Sequence, residues 1–120
     1  MYLKSYKDFT VWQKAMDLTV EIYKLVKLLP KEETYALSDQ MRRAVVSIPS
    51  NIAEGHSRNS NREFMNFVSI ARGSKSELET QLQICIKLNY LTEQDAENAL
   101  SLCDEIGKML TNLMKTLRSS

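Results

Sequence analysis

The sequence predicts an all-α protein: an antiparallel up-and-down four-helix bundle with a kinked second helix, in one domain over residues 1–120. Three observations carry that expectation. Apolar residues recur every third or fourth position in four successive segments, the period of a helix with one buried face. The segments are joined by short polar links, the mark of bundle neighbours. Only three Gly and two Pro occur in 120 residues, too few for the many tight turns of an all-β chain.

The first segment, 8–29, places Trp12, Ala15/Met16, Thr19, Ile22/Tyr23, Val26 and Leu29 at helical spacing. Asp8 is the expected N-cap, and Pro30 ends the segment. Leu18 and Leu25 widen the apolar stripe and point to a second contact surface. Residues 31–36 form a polar link.

The second segment repeats Leu37, Met41, Ala44/Val45, Ile48 and Ile52. Its phase runs straight through Pro49, although a proline inside a helix costs about 3 kcal/mol. Two readings follow. Either one kinked helix ends near Gly55, with glycine taking the left-handed conformation, or Pro49 opens a separate helical turn. The unbroken phase favours the first. Ser47, Ser50 or a neighbouring helix would then serve the carbonyl that proline leaves without a donor.

The third segment opens on SNRE at 60–63, a capping box in which Ser60 and Glu63 serve each other's backbone amides. Phe64, Phe67/Val68, Ala71, Leu78, Leu82 and Cys85 follow on one face. Gly73–Ser74 interrupts it, a small pair suited either to a close helix approach or to a plain surface position. Residues 89–91 close this helix. The fourth begins at Thr92 with acids in its first turn, which suits the helix dipole. Its stripe is Ala99, Leu102/Cys103, Ile106, Leu110, Leu113 and Leu117, with Leu100, Met109 and Met114 beside it. Apolar surface beyond the needs of one core predicts self-association.

Several functions are disfavoured. No apolar run approaches the roughly 20 residues of a membrane span, so no membrane partner is expected. The N-terminal stretch lacks the apolar core of a secretion signal, so the cytoplasm is the expected location. Cys85 and Cys103 have no metal-ligand spacing and read as buried thiols. The one histidine, His56, stands at a helix end without a poised nucleophile, and Glu54 beside it completes no metal set. There is no phosphate-binding glycine loop. Neither an enzyme nor a cofactor is expected.

A polar stripe remains. Arg43, Ser47, Asn51, Glu54 and Arg58 recur along the second helix, and Arg62, Ser69, Arg72, Ser76 and Glu79 along the third. One reading is a hydrogen-bond network that fixes helix register and subunit packing. The other is a phosphate-binding surface for RNA or DNA made of Arg42, Arg43, Arg58, Arg62, Arg72 and Lys75. The formal net charge of +1 weighs against a strongly electrostatic binder. A cyclic assembly would repeat each cationic patch around its axis and raise avidity. A protein-binding scaffold is the alternative.

The blocks WQKAM at 12–16, QMRRAVVSIPSNIAEGHSR at 40–58, EFMNF at 63–67 and IARGSKSELETQL at 70–82 resemble the 23S rRNA intervening-sequence proteins. The resemblance spans nearly the whole chain. It implies an all-α bundle assembled as a cyclic homopentamer. The accessory proteins of diversity-generating retroelements are similar in fold, pentameric, nucleic-acid-binding and strongly basic. The family pattern falls here on Arg42, Arg43, Ser47, Pro49, Asn51, Glu54, Gly55 and Arg58, then on Arg72, Gly73, Ser74 and Glu77. It brings no catalytic role to any of them. It implies a packing and interface role for Ser47, Pro49, Asn51, Glu54, Gly55, Gly73, Ser74 and Glu77.

Overall fold

The computed structural model describes residues 5–119. Four α-helices account for most of them: α1 (Thr10–Leu25), α2 (Leu37–His56), α3 (Asn61–Lys87) and α4 (Glu93–Arg118). Single 3-10 turns at Tyr6–Asp8, Val26–Leu28 and Lys31–Glu33 lead into α1 and form the α1–α2 link. There is no strand among the described residues. α1 packs on α2 and α4, and α3 packs on the same two helices. The body measures 46 × 24 × 19 Å.

The core lies on one face of each helix. α1 contributes Val11, Ala15, Leu18, Ile22 and Leu25, and α2 contributes Met41, Ala44, Val45, Ile48 and Ile52. α3 adds Phe64, Val68, Ala71, Leu78, Leu82 and Cys85, and α4 adds Ala96, Ala99, Cys103, Ile106, Leu110 and Met114. Each large aliphatic side chain so buried contributes about 1.5–3 kcal/mol.

The first segment keeps part of the expected stripe, since Ala15, Ile22, Val26 and Leu29 are buried, and corrects the rest. Leu18 and Leu25 are core residues, not a second surface, while Met16, Val20 and Tyr23 are exposed. The two stripes are offset by one residue, a rotation of about 100°. Packing on α2 and α4 selects the inner one. Asp8 does not cap α1 either. It sits in the 3-10 turn capped by Ser5, and Phe9 occupies the α1 cap position without a side-chain bond.

α2 runs unbroken through the buried Pro49 to His56, so no separate turn starts at the proline. Gly55 is not the expected left-handed stop, because no glycine here has positive φ. It lies inside the helix where α3 crosses. A Cβ at this position would stand 2.7 Å from Phe67 Cβ and 2.8 Å from Phe64 Cδ1. Gly73 is the reverse case, since a Cβ there would meet nothing within 4 Å. The close approach expected at Gly73 is found at Gly55.

Caps set the starts of the last two helices. Ser60 accepts from the Glu63 amide at 3.2 Å, but its hydroxyl donates to the Glu63 carboxylate rather than completing a reciprocal box. Thr92 and Asp95 do complete one, with both bonds at 2.9 Å. Asn89 takes the left-handed conformation, φ 61°, between α3 and α4. Lys14 on α1 reaches Glu105 on α4 at 2.8 Å, and Tyr90 donates to Glu33 at 2.9 Å.

Candidate nucleic-acid interface

The polar stripe divides into a closed part and an open part. The closed part is the α2–α3 seam. Ser47 Oγ lies 2.8 Å from Ser74 Oγ. Asn51 donates to the Ser47 carbonyl at 2.7 Å and to its hydroxyl at 2.9 Å. The Ser47 hydroxyl therefore serves the neighbouring helix. Farther along α3, Gln81 is buried, its amide reaching Glu77 at 3.5 Å and its carbonyl oxygen without a partner among the described residues. Ser47, Asn51 and Ser74 thus form the packing network that was one reading of the stripe, while Glu77 is exposed.

The six cations of the expected phosphate surface do not share one face. Arg42 and Arg43 flank a depression with Tyr23, Val46 and Ser47 on the α1–α2 side. Arg42 donates to the Thr34 carbonyl at 3.0 Å, and Arg43 pairs with Asp39 at 3.1 Å while remaining 80% exposed. Arg58, in the α2–α3 turn, pairs with Glu54 at 2.8 Å and lies over the Phe67 ring at 4.7 Å. Arg62 and Arg72 are exposed and form no ion pair among the described residues.

Arg72 and Lys75 are brought together in a crevice between α3 and α4. Lys108 joins them, with Ser76, Thr111 and Asn112 completing the walls. Lys75 is only 15% exposed and bonds Glu79 at 2.8 Å. Its stem crosses Gly107, where a Cβ would stand 3.0 Å from Lys75 Cε and Nζ. Lys108 pairs with Asp104 at 3.2 Å, and Asp104 is the one carboxylate lining the crevice. Lys108 and Asn112 escaped the sequence reading. Their signal was present: they are one helical turn apart on the polar side of the α4 stripe.

A second and larger hollow, about 850 Å³, opens at the end of the bundle. Phe9, His56 and Phe64 form its aromatic wall, Met109 and Leu113 its aliphatic one. His56 stands edge-on to Phe9 and Phe64, with centroids 5.3 and 5.9 Å apart. No nucleophile–base pair or group of metal-ligating side chains stands out among the described residues. Cys85 and Cys103 are buried and free. Burial is the main cause that pushes the Cys103 thiol up to about 12 and Cys85 to about 11. Nearby Glu79 and Glu33 respectively add to the effect. The Tyr90 hydroxyl is also raised, first by its bond to Glu33.

Four packed helices, a half-buried polar seam and a crevice between α3 and α4 define an all-α bundle. Comparison with known proteins gives its family. The family model described as 23S rRNA-intervening sequence protein matches residues 7–112, and the chain belongs to that family. It is also similar to a Bacteroides thetaiotaomicron protein of the S23 ribosomal protein family, itself described as of unknown function. The two are 31% identical with a TM-score of 0.82, over 88% of this chain and 99% of the other. No curated protein matches the chain.

Proposed function

We propose that this chain is a non-enzymatic, cytoplasmic bundle, antiparallel in its up-and-down helix order, that assembles as a cyclic homo-oligomer and binds RNA or DNA through repeated cationic crevices. The observation that carries the reading is the α3–α4 crevice, where Arg72, in no ion pair among the described residues, stands with Lys75 and Lys108, which hold Glu79 and Asp104. Exposed Arg62 adds charge on the same helix. One crevice per chain is a weak phosphate site. Five copies around an axis, the number the family resemblance implies, would turn it into a ring and raise avidity without new contacts. Self-association has its own support in exposed Met16, Val20, Tyr23 and Val46 on the α1–α2 side and Ile70, Ile84 and Leu88 on α3. Exposed apolar side chains on different sides of the chain suit a head-to-tail ring.

The test is a fluorescence-anisotropy titration of a labelled structured RNA at several salt concentrations. Binding should weaken steeply as salt rises, because phosphate contacts release counterions. Arg72→Glu should reduce affinity and flatten the salt slope. No binding at low salt would remove the nucleic-acid reading. A protein-binding scaffold would then stand, favoured by the same apolar patches and by the formal net charge of +1.

A further inference from the structure

We infer that the hollow at the end of the bundle seats an unpaired base, so that the chain prefers single-stranded over duplex nucleic acid. The inference rests on the nucleic-acid reading above and specifies the form of ligand. Three observations bear on it. First, the hollow and the cationic crevice are neighbours: Asn112 on α4 lines both. A strand whose phosphates lie along Arg72 and Lys108 is therefore led toward the hollow. Second, the walls suit a flat aromatic group with a polar edge. Phe9 and His56 are half-exposed rings, and ring faces are what bases stack on without regard to sequence. Asn61 and Asn112 each bring an amide with donors and an acceptor to the edge.

Third, the lining of the hollow carries a cation, Arg58, and no carboxylate among the described residues. Arg58 spends one nitrogen on Glu54, which leaves further guanidinium N–H groups for a phosphate. The volume of about 850 Å³ falls within the roughly 300–1,000 Å³ typical of small-molecule sites. A base held in duplex cannot reach such a recess without leaving its stack.

The experiment compares three labelled probes at low salt with the full chain: an oligothymidylate of about 12 nucleotides, an abasic deoxyribose-phosphate chain of the same length, and a duplex. The single strand should bind about tenfold more tightly than either of the others. Thr116→Leu sets a branched alkyl group, with no ring face for a base to stack on, at the mouth of the hollow from the exposed face of α4. It should erase that preference while leaving abasic-chain affinity unchanged. Thr10→Leu narrows the hollow from the start of α1 and serves if the first variant loses helix content by circular dichroism. Equal affinity for all three probes would overturn the base-seating inference and leave phosphate binding intact. A folded plug variant that keeps the preference would also overturn it. Binding to none of the probes would remove the nucleic-acid reading itself.

Discussion

Gly55 and Gly73 stand on adjoining helices and meet opposite surroundings. At Gly55 the absent side chain is what lets α3 lie against α2, with Phe64 and Phe67 filling the space a Cβ would need. At Gly73 the missing side chain faces open space. The same contrast separates the seam around Ser47 and Ser74 from the crevice around Arg72 and Lys108. On one side of α3 the polar groups bond one another across the seam; on the other Arg72 forms no ion pair among the described residues, while Lys75 and Lys108 hold Glu79 and Asp104. A polar stripe on a bundle helix thus carries two kinds of residue, and only the packing distinguishes them.

The sharpest way to break the contrast is Gly55→Ala. It should lower stability by about 2–3 kcal/mol in chemical denaturation despite alanine's better helix propensity, because Phe64 and Phe67 must move. A melting curve unchanged from the parent would mean that the α2–α3 crossing is looser than described.

Alkali should come next. A thiol raised by burial keeps its proton in the folded chain while the unfolded chain loses it. The stability this gives is full below about pH 9 and is lost as pH rises toward 11 for Cys85 and 12 for Cys103. Each thiol should contribute a slope of about 1.4 kcal/mol per pH unit in that window. Replacing Cys103 with Ala should flatten the pH dependence of the denaturation midpoint, and an unchanged slope would count against its burial.

Removing one hydroxyl of the seam is a smaller perturbation. Ser74→Ala should cost about 1 kcal/mol, and a double-mutant cycle with Ser47→Ala should show coupling. Additive losses would mean that the 2.8 Å contact contributes nothing. Smallest of all, Gly73→Ala should stabilise the chain by about 0.5–1 kcal/mol through helix propensity alone. A loss there would place a hidden neighbour against α3.

Much of this was legible in the sequence. α2, α3 and α4 announce themselves by apolar period, and the Ser60 and Thr92 caps fix where two of them start. The continuous phase through Pro49 correctly gave one helix. α1 was harder for a physical reason. The expected stripe carried Ala15 with Met16 and Ile22 with Tyr23, neighbours about 100° apart on a helix, and period alone cannot choose between members of such pairs. Gly55 was misread, and Gly73 left open, for a related reason. A glycine serves equally for a left-handed turn, a close crossing or nothing, and the choice is made by a neighbour distant in sequence. The cationic set failed as a group because Arg42 and Arg43 lie on the α1–α2 side, whereas Arg72 and Lys75 look toward α4. Lys108, which completes the crevice, comes from a helix that the stripe did not include.

The burial of both native thiols makes the chain a convenient frame for distance spectroscopy. A single cysteine placed at the exposed position of Arg43 would be the only reactive handle on the folded protein, with no need to strip the native pair. A spin label attached there would report nothing in a lone chain. In a closed ring it would give the set of inter-label distances dictated by the symmetry, so the number of subunits could be counted from the spectrum without crystals.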